Sequence, residues 1–262
     1  MSSATETAPS ETDLAIVGMA AHLPGAASIG AYWHNLRNGL RAIRRLSEDE
    51  LIAAGEDPAL MRQANYVPFA APLDRFADFD AEFFGFSPKE AAILDPQHRQ
   101  FLEVAWEALE NAGHTPEGFG GTIGVYAGCG MGSYFYFNLC SNRDLVRDVG
   151  MFLLRHTGND KDFLSTRVSH IFDLRGPSVN VQTACSTSLV ALHYAAQALL
   201  SELVSPRAAW SPRALDLLSA ARVSPDRRCQ ARLQRQAAVP PERGAAAGLS
   251  SARAAIPRAA LQ

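Results

Sequence analysis

Residues 178–200 decide how this chain is read: Ser178-Val179-Asn180-Val181-Gln182-Thr183, then Ala184-Cys185, then Ser186-Thr187-Ser188 running on to Leu200. The first six residues alternate as a strand does. From Ser186 onward, Leu189, Val190, Leu192, Tyr194, Ala195, Ala198 and Leu199 give the length and composition of an apolar helix. Ala184-Cys185 is left as the turn between them. Such a turn exposes its side chain, and the unpaired N–H groups and positive dipole end of the following helix favour a thiolate, the reactive form of cysteine. The small neighbours Thr183, Ala184, Ser186, Thr187 and Ser188 leave room for a substrate. A cysteine here serves equally well as a small buried hydrophobe, so spacing alone leaves nucleophile and structural roles evenly matched.

Working outward, the preceding segments build an α/β pattern. Leu14 to Ala20 is an apolar run of strand length that reads as a buried strand, and the turn-rich His22-Leu23-Pro24-Gly25 follows it. Tyr32, Trp33, Leu36 and Leu40 recur at helical spacing from Ile29 and predict an amphipathic helix closing near Gly39. Residues 44–78 are irregular and polar apart from a helical patch at Glu48 to Ala54. Five phenylalanines at 76, 79, 83, 84 and 86 are too dense for a solvated loop and predict core plugs. Asp95-Pro96 writes a helix start, a capping acceptor followed by proline at the first helical position, and Asn111 to Gly113 writes its end. Thr122 to Gly128 predicts a second buried strand that enters a glycine-rich turn, Gly128 to Gly132. Asp160 to His170 predicts a further helix, broken by Gly176-Pro177. Strands alternating with helices place the chain in the α/β class.

Composition narrows the function. At 262 residues, 47% apolar and 19% charged, the chain has the make-up of one large or two small soluble globular domains. No run of 18 apolar residues exists to span a membrane, and residues 1–13 do not resemble a secretory signal, so the expected address is the cytoplasm. Four cysteines, at 129, 140, 185 and 229, are too sparse for a disulfide framework and contain no CxxC pair for zinc. Neither lysine, Lys89 or Lys161, follows a glycine, which excludes a phosphate loop of the GxxxxGK[ST] type. Ser133 stands where the glycine-rich turn would need the last glycine of GxGxxG, so a dinucleotide reading is weak.

Charge and composition change near residue 203. Residues 1–200 carry 14 basic against 23 acidic side chains, whereas residues 201–262 carry 10 against 4. From 204 to 262, alanine, arginine and proline supply 32 of 59 residues, with no Phe, Tyr, Thr, Asn, Lys or His. Few large side chains remain to build a core, so this tail reads as poorly ordered, with helix propensity between Ala214 and Ala221. Its arginines lack interleaved aromatics beyond Trp210, and no nucleic-acid partner is expected.

Several ordered phrases carry a family resemblance. Gly158 to Asp162, Thr166-Arg167-Val168-Ser169, Leu174-Arg175-Gly176-Pro177-Ser178 and Thr183-Ala184-Cys185-Ser186-Thr187-Ser188-Leu189 closely resemble the active-cysteine region of β-ketoacyl synthases. Ile16-Val17-Gly18-Met19, Phe79 to Pro88 and Asp95-Pro96-Gln97-His98-Arg99 look like the ketosynthase domains of modular type I polyketide synthases and related fatty acid synthases. The resemblance implies a thiolase-like layered α/β fold, seen here as its N-terminal half with an incomplete C-terminal half. It also implies a homodimer or association with other synthase domains. In this family the cysteine, here Cys185, accepts an acyl group from a phosphopantetheine-linked acyl carrier protein and condenses it with a decarboxylating malonyl-type unit. No directly bound cofactor and no metal is implied, and no membrane partner.

The resemblance also sets a conflict. The family uses two histidines downstream of the cysteine, in His-Gly-Thr-Gly-Thr and Asn-Lys-x-x-x-Gly-His type motifs, to stabilise the enolate. The seven histidines here are 22, 34, 98, 114, 156, 170 and 193, and none matches. The expected organisation is a disordered N-terminus at 1–12, a ketosynthase N-terminal domain at 13–203 and the Ala/Arg/Pro-rich tail at 204–262. A truncation or shifted reading frame after about residue 203 would explain that boundary, which sequencing of the gene tests. Acyl transfer with impaired condensation is the expected activity, and a non-catalytic remnant that docks a carrier protein or partner is the alternative. Half of a layered sheet is expected to leave apolar surface exposed.

Other candidates are weaker. His98, in the first turn of its helix, reads as a packed or solvated residue rather than a ligand or base. His156 and His170 read as core or surface residues rather than a Cys/His dyad. Cys129 reads as structural in a flexible turn, and Cys140 and Cys229 as incidental.

Overall fold

Helix α5 (Pro96–Ala112) is the axis on which the rest is hung. Asp95 caps it by accepting from the Gln97 N–H at 2.8 Å, Pro96 occupies the first helical position, and Gly113 closes it in the left-handed region, as the sequence predicts. Unusually for a first turn, Pro96 to Leu102 are buried without interruption. Farther along, Val104, Ala105, Ala108 and Leu109 are sealed as well. The computed structural model describes residues 13–114, 118–201 and 214–218. The expected N-terminal segment 1–12, Cys229 and most of the tail lie outside the described residues.

Strand β1 (Ala15–Ala20) lies along α5, and the fit depends on Gly18. A Cβ at that position would stand 2.5 Å from the Ala108 carbonyl oxygen and 2.8 Å from the Ala112 Cβ. The Met19 N–H donates to Asn111 Oδ1 at 2.9 Å and fixes the register. Ile16 and Met19 stand exposed while Gly18 and Ala20 are buried, so β1 is covered on one face rather than buried outright. After α1 (Ile29–Arg37) the chain forms a two-residue antiparallel pair, β2 (Arg44–Arg45) with β3 (Phe69–Ala70), around the short helices α2 (Glu48–Ala53) and α3 (Pro58–Met61). Next comes α4 (Pro88–Ile93), started by a reciprocal Ser87/Glu90 capping box.

The phenylalanine-rich stretch plugs the interior as expected, with one exception. Phe84 joins the main core with Phe101, Leu102, Val125, Leu164, Val168 and Phe172, and Phe79 stacks on it at 5.3 Å. Phe86 packs on the same cluster, and Phe76 anchors a second one with Tyr134, Phe135, Leu139 and Leu154. Phe83 stays half exposed, its ring edge-on to Phe84 and Trp106. Edge-to-face packing keeps its contribution without burying it.

Beyond α5 the second parallel pair forms between β4 (Val125–Ala127) and β5 (Ser178–Asn180), in the register Val125 with Ser178 and Ala127 with Asn180. Between them lie a π-helical turn (Phe135–Leu139), α6 (Arg143–Val149), α7 (Met151–His156), a 3-10 turn (Lys161–Phe163) and α8 (Leu164–Ile171). Helix α8 packs on both strands of this pair, and α9 (Thr187–Leu200) packs on β4.

The tail supplies a correction. Ala214 to Ala221 carries helix propensity, yet Ala214–Leu218 forms strand β6, parallel to β1 in the register Ala15 with Ala214 through Ala20 with Leu218. Pairing with the open edge of β1 outweighs a weak intrinsic preference. Among the described residues no helix is long and apolar enough to cross a membrane. Trp33, Phe152, Leu189 and Tyr194 are large apolar side chains at more than half exposure.

Candidate active site

Cys185 sits where the sequence reading places it, between β5 and α9, and is exposed. The turn Ala184–Ser186 is a single 3-10 turn, and Ala184 stands at φ 53°, in the left-handed region that a side chain rarely adopts. Hydroxyl groups hold it. The Thr183 N–H donates to Thr187 Oγ1 at 3.0 Å, Thr187 Oγ1 donates to the Ala184 carbonyl at 2.9 Å, and Ser186 Oγ donates to the Thr183 carbonyl at 2.9 Å. No side chain caps α9, so its first N–H groups are left for whatever binds beside Cys185.

The turn is seated against β4. Gly128, just past that strand, packs so closely that a Cβ there would lie 2.0 Å from the Val181 carbonyl oxygen and 2.4 Å from the Thr187 γ-methyl. The Val181 N–H donates to the Ala127 carbonyl at 2.7 Å, extending the β4–β5 ladder to within four residues of Cys185. Past Gly128 the turn is pinned rather than loose. Gly130 N–H donates to Gln97 Oε1 at 2.7 Å, and the Gln182 amide, nitrogen toward the Cys129 carbonyl and oxygen toward its N–H, bridges at 2.9 and 3.2 Å. Asp95 and Gln97, which the sequence marks only as a helix start, therefore reach the site. The Asp95 N–H donates to the Gly158 carbonyl at 3.0 Å, while Asn159 Nδ2 donates to the Ile93 and Leu154 carbonyls. A run of polar residues opening a helix beside a glycine-rich turn is the sequence signal that points to this role.

These interactions link the Cys185 turn to the segments that carry the family phrases. The β-ketoacyl synthase N-terminal domain family matches residues 11–231. The chain belongs to the β-ketoacyl synthase family. The ketosynthase chain is 50% identical over 199 residues to a component of the phenolphthiocerol/phthiocerol polyketide synthase of Mycobacterium tuberculosis, covering 73% of this chain and 13% of that protein. It is 40% identical over 203 residues to the erythronolide synthase EryA3 of Saccharopolyspora erythraea, covering 74% of this chain and 6% of that one. It thus spans a small part of the curated relatives' length. Among solved structures, ketosynthase twelve of the bacillaene polyketide synthase of Bacillus amyloliquefaciens superimposes with a TM-score of 0.62 at 34% identity, covering 72% of this chain and 33% of that one. The α/β architecture is therefore thiolase-like, of the kind ketosynthase domains adopt.

The ketosynthase's other candidate residues do not converge on Cys185. His98 is sealed in the core without a hydrogen-bond partner at either ring nitrogen, and burial, with Arg167 adding its charge, pulls its pKa down to about 3. It is a neutral core group. His156 faces Asp160 at 3.8 Å and Phe152 at 4.4 Å, and His170 ends α8 on the surface. No hydrogen bond joins either to Cys185. Burial, reinforced by the Asp95 carboxylate, pushes the Cys129 thiol up to about 12, leaving it protonated and unreactive near neutrality. Cys140 lies 3.7 Å from the Met151 sulfur, and burial raises its pKa as well. Among the described residues no three His, Cys, Asp or Glu side chains are grouped to hold a metal.

Proposed function

We propose that Cys185 is the acyl-accepting nucleophile of a polyketide-type ketosynthase that is served by a phosphopantetheine-linked acyl carrier protein. The observation that carries this reading is an exposed cysteine in a strained turn at the start of a long helix, in a chain of this family. The Cys185 thiolate attacks the carrier thioester and its sulfur bonds to the acyl carbon. The tetrahedral oxyanion is met by backbone N–H groups at the start of α9, and its collapse expels the carrier thiolate, which takes up a proton. In a complete cycle a malonyl-type thioester then loses carbon dioxide, its carbanion attacks the acyl-Cys185 carbonyl, a carbon–carbon bond forms and the Cys185 thiolate leaves.

Residues 1–262 place no histidine after His193, and His98, His156 and His170 are engaged elsewhere. The reading is therefore acylation with impaired condensation, in a cytoplasmic assembly line that makes a polyketide or fatty acid. Intact-mass measurement after incubation with an acyl-carrier thioester tests it. We expect an adduct of one acyl mass that the Cys185→Ala variant lacks, and no condensed product when malonyl carrier is added. Condensed product refutes the impairment. Absence of the adduct favours the second reading, a partner-binding module, for which the exposed Leu189 and Tyr194 of α9 speak.

A further inference from the structure

Thr187 does two things from one β-carbon. Its hydroxyl bridges the turn, accepting from the Thr183 N–H at 3.0 Å and donating to the Ala184 carbonyl at 2.9 Å. Its γ-methyl is the atom that stands 2.4 Å from where a Cβ on Gly128 would lie, so it seats the turn against the end of β4. Thr183, Ala184, Cys185 and Ser186 are all exposed, and packing cannot hold Ala184 at φ 53°. Local hydrogen bonds must do so. The Ser186 hydroxyl binds Thr183 through its carbonyl and its Oγ1, at 2.9 and 3.1 Å, but does not reach Ala184. Among the described residues, Thr187 supplies the side-chain hydrogen bond to the residue directly before Cys185.

We propose that Thr187 is the positioning residue of Cys185: its hydroxyl clamps Thr183 to Ala184 and so fixes where the Cys185 sulfur sits relative to the first N–H groups of α9. The proposal rests on Cys185 being the nucleophile. It deepens that reading by naming what aims the nucleophile. A clamp of this kind has a specific chemical signature. Serine keeps the bridging hydroxyl and loses the methyl, whereas valine keeps the branched shape and loses the bridge. Displacement from the helix end removes part of the stabilisation of the thiolate, so the hydroxyl, rather than the shape, controls reactivity.

The test is the pH–rate profile of Cys185 alkylation by iodoacetamide on the full chain, read by peptide mass mapping so that the other cysteines do not contribute. In this reaction a sulfur–carbon bond forms, iodide leaves and the thiol proton passes to buffer. We expect Thr187→Val to alkylate about tenfold more slowly at neutral pH, with its profile moved to higher pH, and Thr187→Ser to stay within about twofold of the parent. An unchanged profile in Thr187→Val overturns the proposal, and so does a Thr187→Ser profile that matches Thr187→Val. If the valine variant does not melt cooperatively, Thr187→Ala against Thr187→Ser makes the same comparison, and equal profiles overturn the proposal. Thioester acylation of the parent chain separates the two claims. Failure to acylate removes the nucleophile reading while the alkylation pattern still judges the clamp; acylation with an unchanged Thr187→Val profile removes the clamp alone.

Discussion

Gly128→Ala probes the contact that joins the core to the Cys185 turn. The new methyl would lie 2.0 Å from the Val181 carbonyl oxygen and 2.4 Å from the Thr187 γ-methyl. An ordinary carbon–oxygen contact is about 3.3 Å, so something must move by roughly 1.3 Å. The obstacle is backbone, and Val181 is tied through its N–H to Ala127 at 2.7 Å, so the shift falls on the β4–β5 ladder or on the Thr187 side. Overpacking of this sort costs about 1–3 kcal/mol, and the rigid obstacle places this case at the upper end. The lower chain entropy of alanine returns only about 0.4–1 kcal/mol. At about 2–4 °C per kcal/mol for a domain of this size, we expect Tm to fall by about 4–8 °C. Cys185 should also alkylate more slowly, because Thr187 is pushed off its seat. The control is Gly132→Ala, whose Cβ would meet nothing closer than the Asn159 carbonyl oxygen at 3.4 Å. Differential scanning fluorimetry and timed alkylation read both effects. A Gly128→Ala chain that melts and alkylates like the parent, or no differently from Gly132→Ala, refutes the account of how the turn is seated.

Two further predictions concern pH. Buried His98 is held neutral, with its pKa near 3, so its contribution is complete above about 6.5 and is lost as pH falls toward 3; burial instead raises Asp95 to about 6, giving a contribution that is complete below about 3.8 and lost as pH rises through 6. Between about pH 4 and 6 the two slopes oppose each other, and Asp95→Asn, which keeps a capping oxygen, should expose an acid loss of about 1.4 kcal/mol per pH unit that urea titrations at stepped pH would read and that a flat series would contradict. His22 bridges β1's exit to α5 through Gln100 at 2.8 Å and Glu107 at 3.0 Å; burial opposes its charge, but these partners, with Glu103, raise its pKa overall. Its contribution is therefore present below about 6.5 and lost as pH climbs through the raised value, so between pH 6 and 9 the parent's Tm should fall further than that of His22→Gln, and equal falls would dismiss the bridge.

The sequence is most legible where chemistry is local. Asp95-Pro96 and Gly113 mark the ends of α5 because caps are written in one or two residues. The Cys185 turn is visible because period 2 gives way to an apolar helix across two residues. Contacts between distant segments are not written this way. Gln97 reaching Gly130, and Gly128 meeting Thr187, depend on how two elements dock, and no spacing rule within either element encodes it. The same reason explains β6: alanine and leucine at 214–218 favour a helix locally, and only the open edge of β1 makes a strand the better outcome. Residues 135–156 form a π-helical turn and two short helices from a sequence without a sustained period, which leaves their boundaries unmarked.

The parallel pairing of β1 with β6 also orders events during synthesis. β1 spans Ala15–Ala20 and its partner begins at Ala214, so the strand made first waits for one made much later. At ribosomal rates of about 5–20 residues per second, that delay is roughly 10–40 s, during which the β1 edge has no partner from its own chain. Two nascent chains on neighbouring ribosomes can meet at those edges before either has produced the strand that closes it. Slower translation lengthens this window and faster translation shortens it, so the yield of folded chain becomes a matter of timing as well as of stability.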